Sequence, residues 1–379
     1  MLRVGTTGQQ GFIGTHLYNT LGLSPDKYVR IPFDRCYFED QDQLKRFVSS
    51  CDVVVHLAGM NRHSDGHVLY ETNVDLTRRL VAAMEAAGTR PNVLFSSSSQ
   101  ETLDNAYGRS KHQSYGLLSD WARKRGARFI SLVIPNVFGP FGKPFYNSVV
   151  ATFSHQLTHK GHPVIDVDID MKLIYVGELV NAILEAIDLC GKTTADGGGV
   201  ERVEVRYTSE GKVSEILERL TRYKETYLEH NIFPELRSKF EVNLFNTFRS
   251  YVDLQEYFPV RLGMNIDARG SFVETTKSEI GGQVSFSSTL PHVTRGNHFH
   301  TRKIERFAVI NGRARIRLRK IGCNDVFDFE LNGSEPSYVD MPIWYTHNIT
   351  NIGEEELYTI FWINEFYDPV DPDTFFEAV

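Results

Sequence analysis

The chain has 379 residues, 41% of them apolar and 23% charged, with a formal net charge of −7 at pH 7. This length exceeds one ordinary domain, so two domains of unequal size are expected. The negative charge disfavours nonspecific binding to nucleic acid, and no apolar run has the length of a membrane span. Four scattered cysteines argue against a disulfide framework, and the absence of a signal-like start predicts a cytoplasmic protein.

The first predicted element is an apolar strand at residues 2–6, followed by a glycine turn, TGQQGFIG, at residues 7–14 and then a helix. Glycines in such a turn let the backbone approach a pyrophosphate, while the helix N-terminus offers free N–H groups to the phosphates. A dinucleotide is therefore predicted to bind at Gly8, Gly11, Phe12, Ile13 and Gly14.

A second strand is predicted near residues 28–33 and leads into Asp34 and Arg35. At this place a carboxylate binds a ribose 2′-hydroxyl, whereas an arginine accepts a 2′-phosphate. Arg35 and NADPH are favoured because the chemistry inferred below is a biosynthetic reduction. Both side chains are also consistent with a solvated loop.

The apolar run at residues 53–59 is typical of a parallel strand covered on both faces. Its last residues, Leu57, Ala58 and Gly59, are predicted to line the dinucleotide groove. Asn73 is expected to open the next helix, and a strand at 93–95 leads into four serines at 96–99.

Tyr107 and Lys111 are four residues apart in the segment YGRSK, so they would share one face of a helix. The ammonium would then favour the ionised form of the phenol. This spacing is common by chance, but the glycine turn and the serine run upstream make chance a poor explanation.

Together these segments resemble the extended branch of the short-chain dehydrogenase/reductase superfamily. The matching segments are TGQQGFIG at 7–14, HLAG at 56–59, FSSSS at 95–99, YGRSK at 107–111 and IPNVFGP at 134–140. The resemblance implies an α/β Rossmann-like fold with a doubly wound parallel sheet, in which Tyr107 exchanges a proton with a carbonyl oxygen and Lys111 holds the nicotinamide ribose. By register, Ser98 would hydrogen-bond the same oxygen, with Ser97 as the alternative. The serine run is also consistent with the polar end of a strand.

The chain departs from the dehydratases of this superfamily, which carry Thr-Asp-Glu where it has Ser98, Ser99 and Gln100. The acid and base that expel water are missing, and Glu101 is one position away. Reduction of a ketone therefore fits better than dehydration. Three residues lie where relatives hold a sugar nucleotide, although turn formers also explain this loop: Asn136, Lys143 and Asn147.

The predicted domain boundary lies near residue 245, which gives a reductase domain at 1–245 and a second domain at 246–379. Helices are predicted at 179–187 and 214–227, with a glycine-rich loop at 194–199. From Met264 onward, alternating strands and regularly spaced glycines predict a small antiparallel barrel. The strand at 313–319 places four arginines on one face; a solvated outer face is favoured over a subunit contact or a diphosphate-binding surface.

A candidate metal site lies in this all-β part. His298 and His300 stand two apart and would leave the same side of one strand. With Glu305 and His347 they form a set of nitrogen and oxygen donors suited to zinc, iron, nickel or manganese. The alternative is a pair of pocket histidines without metal.

The spacing of these residues resembles the cupin family, and the resemblance implies a cupin barrel with His298, His300, Glu305 and His347 as ligands. His292 and Trp344 stand where the family has glycine. The segments at 267–274, 283–287 and 295–298 also resemble dTDP-4-dehydrorhamnose 3,5-epimerases, which implies that His298 is a catalytic base. One nitrogen cannot easily be both ligand and base. If metal is bound, the alternative bases are Tyr345, Lys303 and Lys277.

The order of motifs over nearly the whole chain resembles the CapF-type bifunctional enzymes of UDP-N-acetyl-L-fucosamine synthesis for capsular or O-antigen polysaccharide. The resemblance implies that UDP-2-acetamido-2,6-dideoxy-4-hexulose is epimerised at C3 in the barrel and reduced at C4 with NADPH. The product would be UDP-2-acetamido-2,6-dideoxy-L-talose, and a homodimer with bound zinc is expected. The alternative is a 4-ketosugar-nucleotide reductase whose barrel only binds sugar or forms dimers; the intact Tyr107 and Lys111 disfavour a redox-inactive dinucleotide sensor.

Overall fold

The computed structural model describes residues 1–192 and 198–379, so most of the glycine-rich loop predicted at 194–199 lies outside the described residues. The chain divides into two compact units. The N-terminal unit contains Met1–Phe138, Gly142–Val149 and Ile169–Lys212, and the C-terminal unit contains Gly139–Phe141, Val150–Asp168 and Val213–Val379.

The N-terminal unit is built on a parallel sheet. Its strands in chain order are β1 (Leu2–Thr7), β2 (Tyr28–Ile31), β3 (Val53–His56), β4 (Asn92–Ser98), β5 (Phe129–Ile134), β6 (Asn136–Phe138), β7 (Asp170–Tyr175), β8 (Val200–Glu204) and β9 (Ser209–Lys212). Six of them form a sheet in the order β2-β1-β3-β4-β5-β8, and every neighbouring pair is parallel. A small separate sheet has the order β6-β7-β9.

Both faces of the six-stranded sheet are covered, as the apolar run of β3 predicts. Val53 and Val55 point into one hydrophobic core, while Val54 between them points into the other. The covering helices and turns are Phe12–Leu21, a 3₁₀ turn at Arg35–Glu39, Gln41–Ser49, Gly66–Ala87, Ala106–Arg125 and Val176–Lys192. The prediction of a doubly wound Rossmann-like sheet is confirmed.

The strand order reverses between β1 and β3, because β1 continues to β2 on one side and β3 continues to β4 on the other. Open α/β sheets bind their ligands outside the carboxyl ends of the strands at such a reversal. The glycine turn after β1 and the loop after β3 therefore meet at the place where a ligand is expected.

The expectation that Asn73 opens a helix is wrong. The helix Gly66–Ala87 begins after Asp65, whose side chain accepts a hydrogen bond from the backbone N–H of His67. An aspartate at this position satisfies an N–H group that the first turn leaves without a partner. Asn73 thus lies well inside the helix and is buried.

The C-terminal unit is mainly antiparallel. Its strands are β10 (Ile232–Phe233), β11 (Val260–Arg261), β12 (Met264–Asp267), β13 (Gly270–Val273), β14 (Lys277–Ser278), β15 (Gln283–Thr289), β16 (Thr294–Phe299), β17 (Glu305–Asn311), β18 (Arg313–Lys320), β19 (Val326–Asn332), β20 (Ser337–Met341), β21 (Tyr345–Asn351), β22 (Leu357–Ile363) and β23 (Phe375–Phe376). Two sheets have five strands each, β11-β20-β17-β22-β15 and β19-β18-β21-β16-β23. Apolar side chains from both sheets form one core, which agrees with the predicted cupin-like β domain.

Strand β18 shows the predicted alternation. Ala314, Ile316 and Leu318 are fully buried, and the arginines lie on the opposite face. On that face Arg315 pairs with Glu330 at 2.5 Å and Arg319 with Glu377 at 2.8 Å. The charges of these two arginines are therefore balanced by acidic side chains of the same unit.

Apolar residues show no regular spacing between positions 228 and 258, yet this segment contains helical structure that the sequence did not indicate. The helices of the C-terminal unit are Val149–Thr158, Val213–Tyr223 with a π-helical turn at Lys224–Glu229, Lys239–Arg249 and Leu254–Tyr257. Contacts of this segment with the barrel explain why the compact unit starts at Val213: the ring of Phe233 stacks on Trp362, and the Tyr227 hydroxyl donates to Asp340 at 2.8 Å. Residue 245 lies inside the helix Lys239–Arg249, and a boundary there between separately folding domains stays a prediction.

Among the described residues, none of the helices combines the length and the apolar character required to cross a bilayer.

Candidate functional site

The glycine turn after β1 has the shape that a phosphate-binding turn requires. Gly8 has a φ of +73°, and a Cβ on it would lie 2.8 Å from the backbone nitrogen of Ala58. A Cβ on Gly14 would lie 2.1 Å from the carbonyl oxygen of Gly8. The helix begins at Phe12 after Gly11, which provides no side-chain cap, so the N-terminal N–H groups have no side-chain acceptor. These residues fit the pyrophosphate of a dinucleotide.

The loop after β3, with Leu57, Ala58 and Gly59, is held by hydrogen bonds to two neighbouring elements. Thr7 at the end of β1 accepts from the backbone N–H of Ala58 at 3.3 Å. The side chain of Asn73 accepts from the N–H of Met60 at 2.6 Å and donates to its carbonyl at 2.9 Å. Asn73 also donates to Ser110 at 3.0 Å, which links the loop to the helix of Tyr107 and Lys111. Sequence reasoning missed this role of Asn73; its signal is a polar residue on an otherwise apolar helix face.

Lys111 lies beneath the ring of Tyr107, with its Nζ 5.7 Å from the ring centroid. The buried ammonium donates to the carbonyl of Ser96 at 2.7 Å. Burial lowers the pKa of Lys111 to about 8, against the opposing charge of Glu101. Burial raises the pKa of Tyr107 to about 12, against the opposing effect of the Ser98 side chain. Tyr107 is thus protonated at neutral pH and can donate a proton to a carbonyl oxygen.

The two candidate serines have different surroundings. The Ser97 hydroxyl donates to the carboxylate of Glu101, whose other oxygen accepts from Nε of Arg202 at 2.7 Å. The side chain of Ser98 instead interacts with the Tyr107 phenol and opposes the rise of its pKa. The Ser98 oxygen also accepts from the N–H of Gln100 at 3.2 Å. The structure therefore brings Ser98, Tyr107 and Lys111 together.

Asp34 and Arg35, which follow β2, are exposed. The carboxylate of Asp34 accepts from the N–H of Cys36 at 2.9 Å and caps the short 3₁₀ turn Arg35–Glu39. Arg35 itself is exposed. The Asp34 carboxylate is therefore used in capping the turn, whereas the Arg35 guanidinium is accessible to a ligand.

The three predicted substrate residues, Asn136, Lys143 and Asn147, are all exposed. A neighbour that the sequence did not single out, Tyr146, acts on Tyr107. Its hydroxyl accepts from the backbone N–H of Asn61 at 3.0 Å, and its charge raises the pKa of Tyr107.

In the C-terminal unit the four predicted metal ligands lie together. His298 on β16 is paired with His347 on β21, and Glu305 starts β17. One ligand atom from each of His298, His300, Glu305 and His347 lies within 4.8 Å of all the others. The last three of these residues are buried, and His298 is partly buried.

The hydrogen bonds around this cluster fit a metal ion. Nδ1 of His300 lies 2.6 Å from the carbonyl of Asp373, and Nδ1 of His347 lies 3.2 Å from that of Tyr345. A ring that donates from Nδ1 keeps a lone pair on Nε2 for a metal. Nε2 of His347 is buried without a hydrogen-bond partner in the described part of the chain. Glu305 lies 3.2 Å from it, a distance typical of an ion pair but without the geometry of a hydrogen bond.

The ionisation of the cluster also suits metal binding. Burial, together with the imidazoles of His347 and His300, lowers the pKa of His298 to about 4, so this ring is neutral. Burial alone would raise the pKa of Glu305, but interactions with His300 and His347 hold it well below its usual range. Ionised carboxylate and neutral imidazole are the ligand forms of these groups. The hydrogen bond to Glu305 raises the pKa of His300 against the effect of burial, so this ring must lose its extra proton when a metal binds.

His292 and Trp344, which stand where the cupin family has glycine, each have a φ of 62°, in the left-handed region that favours glycine. The N–H of Trp344 donates to the carbonyl of His300 at 2.7 Å, and its ring stacks on Phe299 with centroids 5.6 Å apart. The tight turn is thus retained with a bulky residue, and it holds the backbone of a candidate ligand.

The alternative bases have unequal positions. Tyr345 lies two residues before His347 on β21 and shares its face of the sheet. Nζ of Lys303 donates to the carbonyl of Pro372 at 2.8 Å, and Lys277 pairs with Glu274 at 2.8 Å. Tyr345 is therefore the alternative that is placed best relative to the cluster.

A parallel sheet with a dinucleotide turn and a tyrosine-lysine helix defines a nicotinamide-dependent enzyme of the reductase or epimerase class. Residues 6–195 match the NAD dependent epimerase/dehydratase family, and residues 265–375 match the polysaccharide biosynthesis C-terminal domain. The chain belongs to the NAD dependent epimerase/dehydratase family and is an enzyme of sugar-nucleotide metabolism.

Similar proteins cover both units. The UDP-2-acetamido-2,6-beta-L-arabino-hexul-4-ose reductase of Pseudomonas aeruginosa is 30% identical over 375 residues, which is 99% of this chain and 98% of that protein. The structure of the capsular polysaccharide assembling protein CapF from Staphylococcus aureus matches with a TM-score of 0.60 and 33% identity over 100% of both chains. RMD from Pseudomonas aeruginosa shares the fold of the first unit, with 23% identity, a TM-score of 0.51 and coverage of 59% of this chain and 83% of that one.

Proposed function

We propose that the chain is a bifunctional sugar-nucleotide enzyme. The C-terminal unit inverts C3 of UDP-2-acetamido-2,6-dideoxy-4-hexulose, and the N-terminal unit reduces the C4 ketone to give UDP-2-acetamido-2,6-dideoxy-L-talose. The similarity over nearly the full chain to a reductase named for a UDP-linked 4-ketosugar supports this substrate. The similarity to a capsular polysaccharide assembling protein supports a role in capsule or O-antigen synthesis. We place the enzyme in the cytoplasm as a homodimer.

The observation that carries the reductase half of the proposal is the grouping of Ser98, Tyr107 and Lys111 beside the dinucleotide turn. Tyr107, with a pKa of about 12, would donate its phenol proton to the C4 oxygen. Ser98 would hydrogen-bond that oxygen, and the ammonium of Lys111 would stabilise the phenolate that the transfer leaves.

The proposed chemistry requires a cofactor and a metal ion. NADPH, when bound, would supply a hydride to C4. A divalent ion, zinc by preference, would supply positive charge beside the ketone in the barrel. Arg35, which is exposed and follows β2, supports NADPH over NADH. His298, His300, Glu305 and His347 would hold the metal. The C4 ketone acidifies the C3 hydrogen, so a base can remove it and a proton can return from the opposite face.

His298 is the proposed base if its nitrogen is not occupied by the metal. If it is a ligand, Tyr345 takes this role. Asn136, Lys143 and Asn147, all exposed in the N-terminal unit, are proposed to bind the sugar nucleotide. Tyr146 is added to this set because its charge acts on the pKa of Tyr107.

Incubation of the 4-ketosugar in heavy water without NADPH tests the two halves separately. We expect deuterium at C3 with wild-type protein and with Tyr107→Phe, and none with His298→Ala. Tyr107→Phe should lower the rate of NADPH oxidation by roughly 10²- to 10⁴-fold, the usual contribution of a general acid. Absence of exchange with wild-type protein that still oxidises NADPH would instead support a reductase with a noncatalytic barrel.

A further inference from the structure

One buried carboxylate holds the loop that connects two candidate metal ligands. This loop runs from His300 to Glu305, between β16 and β17. Oδ1 of Asp373 accepts from the N–H of Thr301 at 3.1 Å and from its hydroxyl at 2.6 Å. Oδ2 accepts from the N–H groups of Arg302 and Lys303, both at 3.0 Å. Asp373 is only 3% exposed, so these are charge-assisted hydrogen bonds shielded from water.

The main chain of the same residue contacts a ligand directly. The carbonyl oxygen of Asp373 lies 2.6 Å from Nδ1 of His300, at the start of the loop. A carbonyl can only accept, so Nδ1 carries a proton, and Nε2 faces the cluster, 3.2 Å from Oε2 of Glu305. The side chain of Asp373 thus fixes the loop, while its backbone fixes the tautomer and the orientation of the imidazole.

The segment that carries Asp373 is itself well held. Nζ of Lys303 donates to the carbonyl of Pro372 at 2.8 Å. Strand β23, just after Asp373, pairs with β16 so that Phe376 lies opposite His298. Asp373 has a φ of 41°, which aspartate tolerates better than most residues. The backbone on both sides of the carboxylate is therefore tied to the strand and the loop that present the metal ligands.

We propose that Asp373 is a positioning residue of the metal centre. Its carboxylate holds residues 301–303 in the conformation that brings His300 and Glu305 together, and its carbonyl orients the ring of His300. This inference rests on the metal site proposed above. Partners that orient metal ligands typically contribute ~10- to 100-fold to metal affinity, so loss of the carboxylate should weaken zinc binding by this factor.

Two substitutions at this position separate metal affinity from folding. Asp373→Gly removes the carboxylate without strain, because glycine adopts a positive φ freely. Asp373→Asn keeps one acceptor oxygen and should have an intermediate effect. Asp371→Asn is the matched control: Asp371 lies two residues earlier, pairs with Arg302 at 3.0 Å and has a side chain that is 69% exposed. This control should leave zinc affinity unchanged.

Zinc affinity is measured on the full-length variants by competition with a chromophoric chelator, and metal-free samples are melted to verify the fold. The visible absorption bands of Co²⁺-loaded protein report ligand geometry and should change for Asp373→Gly but not for Asp371→Asn. NADPH oxidation with the C3-inverted ketosugar should be unaffected in the control variant Asp371→Asn.

The outcomes distinguish this inference from the metal site itself. Wild-type protein that binds no zinc, or whose zinc affinity survives His347→Ala, overturns both. Tight zinc binding by wild-type protein together with equal affinity and an unchanged Co²⁺ spectrum in Asp373→Gly overturns only the role of Asp373. If metal-free Asp373→Gly and Asp373→Asn both fail to fold, Asp373 is a residue of the general fold and the inference is likewise overturned.

Discussion

Lys111 is a buried cation, and no carboxylate of the described residues is in direct contact with it. Its Nζ is bound to a main-chain carbonyl and lies over the rings of Phe95 and Tyr107, at 4.9 and 5.7 Å from their centroids. Water is the better solvent for an ammonium, so this position costs stability while the group is charged. This cost indicates a functional role for the charge, and the group that it would stabilise is the neighbouring phenolate of Tyr107.

The pH dependence of stability should reveal this cost. The pKa of Lys111 is lowered by burial from 10.5 to about 8, so between these values the unfolded chain holds a proton that the folded chain has released. Stability contributed by this group therefore rises as pH increases from about 8 to 10.5. Relative to Lys111→Met, wild-type protein should gain on the order of 1–3 kcal/mol over this window, measured as the free energy of unfolding in urea.

Lys124 provides the control for this measurement, since it is an exposed lysine in the last turn of the same helix. Lys124→Met should differ from wild-type protein by an amount that does not vary with pH. Parallel stability curves for wild-type protein and Lys111→Met would show that Lys111 is not desolvated.

At the scale of single residues, the sequence predicted that Ser98, Tyr107 and Lys111 belong to one site, but it did not predict the contacts around them. Nothing in the serine run shows that Ser97 is bound to Glu101, because the partner of that carboxylate, Arg202, lies about a hundred positions away. Long-range pairing of this kind depends on which strands become neighbours in the sheet. In the same way, the backbone of Trp344 is left-handed although the residue type argues against it.

At the scale of elements, β16 and β21 determine the geometry of the candidate metal cluster. The register between them shifts from Gly296 to His298, with Asn297 at a φ of 60° in between. Such a bulge turns the following side chains relative to the strand. Here it places His298 opposite His347, so the spacing of the two rings depends on how closely the strands approach at Gly296.

Gly296→Ala should therefore disturb the cluster without touching a ligand. A Cβ at this position would lie 2.8 Å from the carbonyl oxygen of His347, and Gly296 has a φ of +99°. The strands must separate, which should lower stability by about 1–3 kcal/mol and zinc affinity by ~10-fold or more. Chelator competition and thermal melting of the same samples measure both effects.

Gly281→Ala is the comparison, because a Cβ there meets no atom within 4 Å. It should change neither quantity. Unaltered zinc affinity in Gly296→Ala would mean that the cluster adapts to a wider strand spacing.

An element can be predicted from the sequence when neighbouring residues alone determine it. The turn at residues 7–14 and strand β18 are encoded by neighbouring residues, through glycine spacing and strict alternation, and both agree with the structure. The helix Lys239–Arg249 carries mixed polar and aromatic residues that are buried from several sides, so no single apolar stripe marks it. Tertiary contacts decide such a segment.

For the whole molecule, the sequence predicted two different architectures in the correct order, and its domain boundary near residue 245 stays a prediction. The division at Val213 depends on aromatic contacts between residues near 230 and the barrel, such as Phe233 with Trp362. These contacts join positions more than a hundred residues apart, and composition does not reveal them.

Removal of metal should separate the two activities in the intact protein. Stripping with a strong chelator should abolish deuterium exchange at C3, whereas NADPH oxidation with the C3-inverted ketosugar should stay near the wild-type rate. Added zinc should restore the exchange. His347→Ala should reproduce the stripped state without a chelator, which controls for side effects of the reagent. Exchange that persists after complete removal of metal would indicate that His298 acts as a base on its own.

The ion pair between Glu101 and Arg202 is an obstacle to engineering a dehydratase activity into this protein. Glu101 is the acidic side chain nearest to the positions from which related enzymes expel water, and its two oxygens are occupied by Ser97 and Arg202. Changing residues 98–100 alone, in order to make an enzyme that eliminates water, would place a new acid next to Glu101. The carboxylate of Glu101 would still be bound to Ser97 and Arg202. Such an engineering route would have to start on β8, at Arg202, far along the chain from the residues that a sequence comparison would suggest changing.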